Sequence, residues 1–231
     1  MKSFLADFLY FFYPKRCIVC GRVVHPTVDL CEDCEKELKP ITVKTCQKCG
    51  NPKKLCCCKR YVYHFRGISS PYLNEGSAQK AVYFYKFGGN KDSAQFFGKV
   101  MAERFINDFP DIEIDCVTAV PRNRKKRADK DNTLWRFDHS ARLAKCVARE
   151  LSVPYKPLLI KHKSNKVQHL LSGKERFQNV KGVYKAEQNN FVNVLLIDDI
   201  KTTGATLDEC SRMLMLAGTE NVYCATAVIS A

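Results

Sequence analysis

Two adjacent carboxylates and a threonine-rich turn form the stretch of this sequence best suited to chemistry. Asp198 and Asp199 follow the apolar residues 194–197, and Lys201 leads into a turn of Thr202, Thr203, Gly204, Ala205 and Thr206. Backbone N–H groups at the start of a following helix, together with the threonine hydroxyls, favour an anion such as phosphate. Carboxylates can accept hydrogen bonds from the vicinal hydroxyls of a sugar. The stretch therefore predicts a site for a phosphorylated ribose.

Nine of the thirteen cysteines fall before residue 59, in a pattern typical of metal ligands. A Cys-x-x-Cys turn directs two thiolates at one ion, and a second pair completes a tetrahedral site of four sulfurs. The first set is Cys17, Cys20, Cys31 and Cys34. The second contains Cys46, Cys49 and Cys56, with Cys58 or Cys57 as its fourth member.

These cysteines predict two structural Zn²⁺ ions, with a single ion, or redox or disulfide use, as the alternatives. A shell of four sulfurs leaves no position for water on the metal, so we expect both sites to be structural and not catalytic. Metal binding would also stabilise a segment too short to form a core of its own.

The composition indicates a globular protein made of two unlike parts. Its 231 residues are 45% hydrophobic and 27% charged, which excludes wholesale disorder, and no apolar run approaches the length of a membrane-spanning helix. The first 13 residues are apolar, but Asp7 interrupts them and no small-residue cleavage site follows. We therefore expect a short docked helix there, in preference to a secretory signal or an interfacial membrane anchor. The expected location is the cytoplasm, with reduced thiols.

The net charge of +14 is unevenly distributed. Residues 1–60 carry 12 basic and 6 acidic side chains. Two tetrathiolate zinc sites would lower that excess by four charges. Taken as a whole, the cysteine-rich segment is therefore not predicted to be a strongly basic nucleic-acid clamp.

Helix and strand patterns alternate from residue 61 onward and must position the aspartate pair. Apolar spacing predicts helices over residues 77–87, 92–106, 139–151 and 207–217, and buried strands over residues 115–120, 192–197 and 222–229. Such alternation predicts a parallel sheet, and ligands bind beyond the carboxyl ends of its strands. The predicted fold class is α/β, a parallel sheet flanked by helices over residues 61–231, preceded by a small zinc-ribbon domain over residues 1–60.

The run over residues 194–206 resembles the phosphoribosyl-pyrophosphate (PRPP) signature of type I phosphoribosyltransferases. By that resemblance, Asp198 and Asp199 would be the catalytic pair that holds the ribose hydroxyls. Residues 202–206 would hold the 5-phosphate, and Mg²⁺ would arrive on the pyrophosphate. Lys86, Pro121 and Arg122, which lie in other family-like segments, would complete the PRPP site. Lys201 stands where the family usually has an apolar residue.

Nearly the full length of the chain resembles ComF-type competence proteins. Pro14 before the first cysteine pair, the Tyr-Lys-Phe-Gly of residues 85–88 and the run from Gln168 to Val180 fit that family. The resemblance implies a double zinc ribbon followed by a type I phosphoribosyltransferase-like domain. It also implies a role in DNA uptake during natural transformation, with single-stranded DNA and competence or helicase proteins as partners.

A basic segment after Pro121 contains Arg124, Lys125, Lys126 and Arg127. The family interpretation is a flexible active-site loop that neutralises pyrophosphate, and the alternatives are a solvated loop or a contact with the DNA backbone. Further along, Trp135 and Arg136 replace the family's arginine and glycine, and Asp138 replaces its asparagine. Arg136 would then supply the missing cation from the next position, and the departure bears on turnover more than on binding.

Two functions of different classes follow from these residues. The first is a phosphoribosyltransferase whose acceptor the sequence does not identify. The second is a module without turnover, which senses PRPP or a nucleotide or binds single-stranded DNA.

Overall fold

The computed structural model of the protein describes residues 14–87, 91–122, 138–163 and 173–230, apart from the side chains of Lys91 and Lys174. Several predicted features lie outside these ranges: the N-terminal helix, part of the run that begins at Gln168, and the loop residues Arg124, Lys125, Lys126, Arg127 and Arg136. No helix within the described ranges combines the length and the apolar character needed to cross a membrane.

Five parallel strands form the central sheet. The strands of the chain are β1 (Gly67–Ser69), β2 (Tyr72–Leu73), β3 (Cys116–Ala119), β4 (Leu159–Lys161), β5 (Tyr184–Ala186), β6 (Asn193–Lys201) and β7 (Asn221–Ile229). The sheet order is β1-β7-β6-β3, and β2 also pairs with β7. Every pairing within this sheet is parallel, whereas β4 and β5 form a separate antiparallel pair. The predicted α/β class is thereby confirmed.

Helices cover both faces of this sheet. They are α1 (Glu32–Glu37), α2 (Gly76–Phe87), α3 (Lys91–Asp108), α4 (His139–Glu150), α5 (Gly173–Val180) and α6 (Ala205–Leu216). The four helices expected from apolar spacing are all present, with ends within two residues of those predicted.

Residues 194–197 of strand β6 have no polar face because the strand is buried on both sides. Leu195 and Ile197 pack in the cluster that contains α2, α3 and α4, while Val194 and Leu196 pack in the cluster that contains α6. All four are fully buried. Side chains of successive strand residues point to opposite faces, so a continuous apolar run is what a two-sided sheet requires.

The cysteine-rich segment contains two turns of similar shape. Gly21 and Gly50 follow Cys-x-x-Cys pairs with φ of 74° and 75°, a conformation that favours glycine. The N–H of each donates back to the first cysteine of its pair, Cys17 or Cys46. The first ribbon (residues 14–38) packs into the cluster of α2, α3 and α4, and the second ribbon (residues 39–66) packs into the cluster of α6.

Candidate functional site

The site is built where β6 ends and α6 begins. Strand β6 continues four residues past the predicted end at 197, because Asp198, Ile200 and Lys201 remain paired with β7. The aspartates therefore lie within the last residues of a paired strand, and the residues that follow, 202–206, form what we call the phosphate loop. Thr202 of this loop is exposed.

Asp199 is neutralised by two cations from other elements. Lys86 lies near the end of α2, and Arg122 follows β3. Lys86 Nζ is 2.9 Å from one carboxylate oxygen of Asp199, and Arg122 Nη2 is 2.6 Å from the other. Asp199 itself is only 4% exposed, whereas the Arg122 side chain is 43% exposed. Buried carboxylates need such partners. The structure thus brings together three of the predicted PRPP-site residues, with Pro121 directly before Arg122.

Asp198 has a different environment. Its Oδ1 accepts hydrogen bonds from Ser140 Oγ at 3.0 Å and from the Asp199 N–H at 2.9 Å. Burial, and after it the negative charge of Asp199, raises the pKa of Asp198 to about 7. A carboxyl group with a raised pKa ionises more readily when a hydrogen-bond donor, such as a sugar hydroxyl, approaches it.

The phosphate loop has the backbone geometry of an anion site. Gly204 is the N-terminal cap of α6 and has φ of 82°. A Cβ at this position would lie 3.0 Å from Cε1 of Tyr63, so the loop requires glycine for both conformation and space. The Ala205 N–H points to Thr203 Oγ1 at 3.4 Å, and Thr202 Oγ1 accepts a hydrogen bond from Arg176 Nη1 at 3.1 Å. Thr206 is half-buried in the first turn of α6.

Four residues that contact this site were not among the predicted site residues: Arg176, which is described above, and Ser140, Tyr63 and Asn51. Ser140 Oγ reaches Asp198, the Tyr63 hydroxyl donates to the Thr203 carbonyl at 2.9 Å, and Asn51 Oδ1 accepts from Lys201 Nζ at 2.8 Å. No spacing rule links them to the loop, because each comes from a distant part of the chain. The one available signal was Lys201, which stands where the family usually has an apolar residue and proves to be buried.

The unusual Asp138 has a local structural role. It is exposed and caps α4, with its Oδ1 accepting the Ala141 N–H at 3.0 Å. Aspartate and asparagine are about equally good at such a cap. The departure from the family's asparagine is therefore compatible with the same helix start.

The cysteine sulfurs form two compact groups. The ligand atoms of Cys17, Cys20, Cys31 and Cys34 all lie within 4.8 Å of one another, and so do those of Cys46, Cys49, Cys56 and Cys58. Both groups suit a tetrahedral Zn²⁺ site, whose sulfurs lie about 2.3 Å from the metal. Of the two choices for the last ligand of the second group, the geometry selects Cys58. Cys57 instead lies 3.4 Å from the Tyr63 hydroxyl.

Comparisons with known proteins agree with this architecture. The double zinc ribbon domain family matches residues 8–62. Competence protein ComFC of Bacillus subtilis is 26% identical over 213 residues, which cover 85% of this chain and 82% of that protein. Competence protein F of Haemophilus influenzae is 34% identical over 95 residues, 38% of this chain and 42% of that protein.

Solved phosphoribosyltransferase structures are also similar, at a lower level. A glutamine PRPP amidotransferase from B. subtilis has a TM-score of 0.40 and 21% identity, covering 63% of this chain and 30% of its own. An adenine phosphoribosyltransferase from Saccharomyces cerevisiae has a TM-score of 0.38 and 15% identity, covering 62% of this chain and 80% of its own. TM-scores this low carry no functional argument.

Proposed function

We propose that this chain, which belongs to the ComF family of competence proteins, binds PRPP where β3 and β6 end. The observation that carries the proposal is the juxtaposition of Asp198 and Asp199 with a helix start opened by Gly204. An acidic pair for a diol and a backbone cradle for a phosphate then lie one short turn apart, as a ribose 5-phosphate requires.

In this proposal the phosphate loop receives the 5-phosphate. The backbone N–H groups of the first turn of α6 and the hydroxyls of Thr202, Thr203 and Thr206 are donors for the phosphate oxygens. Gly204 lets the chain approach the anion closely. The positive end of the α6 dipole adds to the attraction.

Lys86 and Arg122 have two roles in succession. Without ligand they balance the charge of Asp199, at 2.9 Å and 2.6 Å. When the ribose hydroxyls take their place on the carboxylate, both cations are released toward the pyrophosphate. Arg122, with its exposed guanidinium, is the better placed to move.

Mg²⁺ would enter this site on the pyrophosphate. Mg²⁺ prefers oxygen ligands and is usually bound by substrate phosphates and one or two carboxylates. Asp198 and Asp199 offer carboxylate oxygens of this kind. When bound, Mg²⁺ would supply positive charge for the pyrophosphate, the group that leaves C1 as a nucleophile bonds there. The protein's own residues would hold the ribose and phosphate in position.

A calorimetric titration with magnesium PRPP tests the proposal. We expect binding by the wild-type protein and a loss of at least tenfold in affinity for Asp199→Asn, because the charge-assisted hydrogen bonds from the ribose hydroxyls to the carboxylate are removed. Asp115→Asn is the matched control. Its carboxylate accepts the N–H groups of Val192 and Asn193 at the opposite end of the strand, so its affinity should be unchanged. An Asp199→Asn variant that binds as the wild type does would refute the proposed site.

Turnover is tested with the same proteins. Pyrophosphate release in the presence of a panel of nucleobases, lost in Asp199→Asn, would assign a transferase. Binding of PRPP without release across the panel would assign a sensor.

A second candidate function is nucleic-acid binding by the second ribbon. Residues 39–66 contain eight basic side chains and no acidic one, whereas residues 14–38 contain four basic and five acidic ones. The average over residues 1–60 conceals this contrast. All eight basic residues except Lys48 are exposed: Lys39, Lys44, Lys53, Lys54, Lys59, Arg60 and Arg66.

Exposed apolar side chains are interspersed with these cations. Val62 is 90% exposed and Leu55 is 58% exposed. The cations suit the phosphates of a nucleic acid, and the exposed apolar side chains offer surface against which unpaired bases could pack. The names of the relatives, competence proteins, fit a role of this kind in DNA uptake.

A further inference from the structure

The second ribbon lies directly against the phosphate loop. Two side-chain contacts join them, one at the residue before the loop and one in its middle. The contacts are made by Asn51, which lies between two cysteines of the second group, and by Tyr63, which follows the last of them.

The first contact starts from Lys201, which is only 1% exposed. Its Nζ donates to Asn51 Oδ1 at 2.8 Å, and Asn51 is itself 4% exposed. The Asn51 amide nitrogen donates in turn to the Leu55 carbonyl at 3.1 Å. A buried lysine needs such an acceptor, so this pair fixes the strand end from which the loop departs.

The second contact is made by Tyr63, which is 4% exposed. Its hydroxyl donates to the Thr203 carbonyl at 2.9 Å, and its ring packs beside Gly204. The Cys57 sulfur lies 3.4 Å from the same hydroxyl and 3.8 Å from the Asn51 amide nitrogen. Cys57 therefore connects the two contacts without belonging to the metal-ligand group.

The second cysteine group holds these residues in place. Asn51 lies between Cys49 and Cys56 in the chain, and its carbonyl accepts the Cys46 N–H at 2.8 Å. The adjacent Gly50 is so closely packed that a Cβ there would lie 2.7 Å from Cδ1 of Ile229, the partner of Lys201 in the sheet. The first ribbon instead contacts α2, through Ser77 Oγ and Glu37.

We propose that the second four-cysteine site positions the phosphate loop through Asn51, Cys57 and Tyr63. Loss of its metal would release Lys201 and Thr203 and lower the affinity for the 5-phosphate. Loss of the metal from the first four-cysteine site would leave the loop and its affinity for the 5-phosphate unchanged. This inference rests on the proposed function for its effect on PRPP, but the ordering of the loop can be measured without any ligand.

The test compares Cys56→Ser with Cys20→Ser, the exposed cysteine of each group. Hydrogen exchange of a peptide that covers residues 202–206 should be faster in Cys56→Ser than in Cys20→Ser, after metal analysis has shown that each protein lost one zinc. Tyr63→Phe removes only the hydroxyl and should also speed exchange, with both zinc ions retained. Ser77→Ala, which breaks the contact of the first ribbon, should leave exchange in the loop unchanged.

Calorimetry with two ligands separates positioning from a general loss of structure. Tyr63→Phe should weaken ribose 5-phosphate binding about three- to tenfold, as expected for the removal of one hydrogen bond, and leave magnesium pyrophosphate binding unchanged. Equal weakening of both ligands would contradict a specific effect on the loop.

The outcomes distinguish the two proposals. Unchanged loop exchange in both Tyr63→Phe and Cys56→Ser would overturn the link and leave the proposed function standing. Failure of the wild-type protein to bind PRPP or ribose 5-phosphate would overturn the proposed function, while exchange would still decide whether the ribbon orders the loop.

Discussion

The two aspartates of the site are adjacent in sequence but have unlike surroundings. Asp199 is held by Lys86 and Arg122, one cation for each oxygen. Among the described residues, the Asp198 carboxylate accepts hydrogen bonds from a hydroxyl and a backbone N–H, and its pKa is raised by burial and by Asp199. The pair therefore divides its roles: Asp199 is held in two ion pairs, and Asp198, whose pKa is raised, ionises less readily than an ordinary carboxyl group.

The raised pKa of Asp198 makes stability depend on pH in a defined direction. The unfolded chain releases this proton near pH 4 and the folded chain near 7, so the contribution of Asp198 to stability is lost as pH rises through that window. Asp198→Asn removes this titration. Urea unfolding between pH 5.5 and 8 should show the variant gaining stability relative to the wild type as pH increases. If the difference in stability between variant and wild type stays constant with pH, or changes in the opposite direction, the pKa of Asp198 is not raised in the folded protein.

Gly204 gives a second prediction for a single residue. Gly204→Ala would place a Cβ 3.0 Å from the Tyr63 ring at φ of 82°, so we expect a loss of about 1–3 kcal/mol in the free energy of unfolding and weaker PRPP binding. Gly182→Ala is the matched control, because Gly182 has φ of 69° with nothing within 4 Å of the added Cβ. Denaturant unfolding measures the stability of the two variants, and titration with PRPP measures their affinity. Equal losses of stability, with no loss of PRPP affinity in either variant, would argue against a crowded phosphate loop.

At the level of elements, the sequence was most informative where one pattern dominates. The apolar run before Asp198 and the helical spacing of α2, α3, α4 and α6 predicted those elements, because burial on one or both faces determines them. The antiparallel pair of β4 and β5 carries only three residues per strand and has no comparable pattern. The extension of β6 to Lys201 follows from its continued pairing with β7, a tertiary contact that no local signal reveals.

The second cysteine group shows the same limit and gives a further prediction. Three consecutive cysteines leave the ligand set ambiguous in sequence, and geometry selects Cys58 over Cys57. Cys58→Ser should therefore lower the zinc content from two ions per chain to one, whereas Cys57→Ser should retain two. Metal analysis of both purified proteins gives the answer. Loss of zinc in Cys57→Ser, with two ions kept in Cys58→Ser, would reverse the assignment.

At the level of the whole molecule, the two ribbons differ in charge and in what they contact. The first has slightly more acidic than basic residues and packs against the helices of one face. The second ribbon contains basic but no acidic side chains, and it lies beside the phosphate loop. A nucleic acid on the second ribbon would therefore lie close to the proposed sugar-phosphate site.

Charge reversal on each ribbon tests this difference. Lys53→Glu should weaken binding of a labelled single-stranded oligonucleotide and reduce the dependence of affinity on salt, by roughly 0.7 in the logarithmic slope for each phosphate that the variant no longer neutralises. Lys36→Glu, on α1 of the first ribbon, is the control and should have little effect. Fluorescence anisotropy at several salt concentrations measures both. Equal effects of the two variants would indicate attraction by net charge alone.

The most direct test of the central claim is a crystal structure of the protein with magnesium PRPP. We expect the 5-phosphate on the backbone of residues 202–206 and the ribose hydroxyls on Asp198 and Asp199, with Arg122 moved from Asp199 to the pyrophosphate. Ligand bound elsewhere, with the ion pairs of Asp199 to Lys86 and Arg122 intact, would contradict the account.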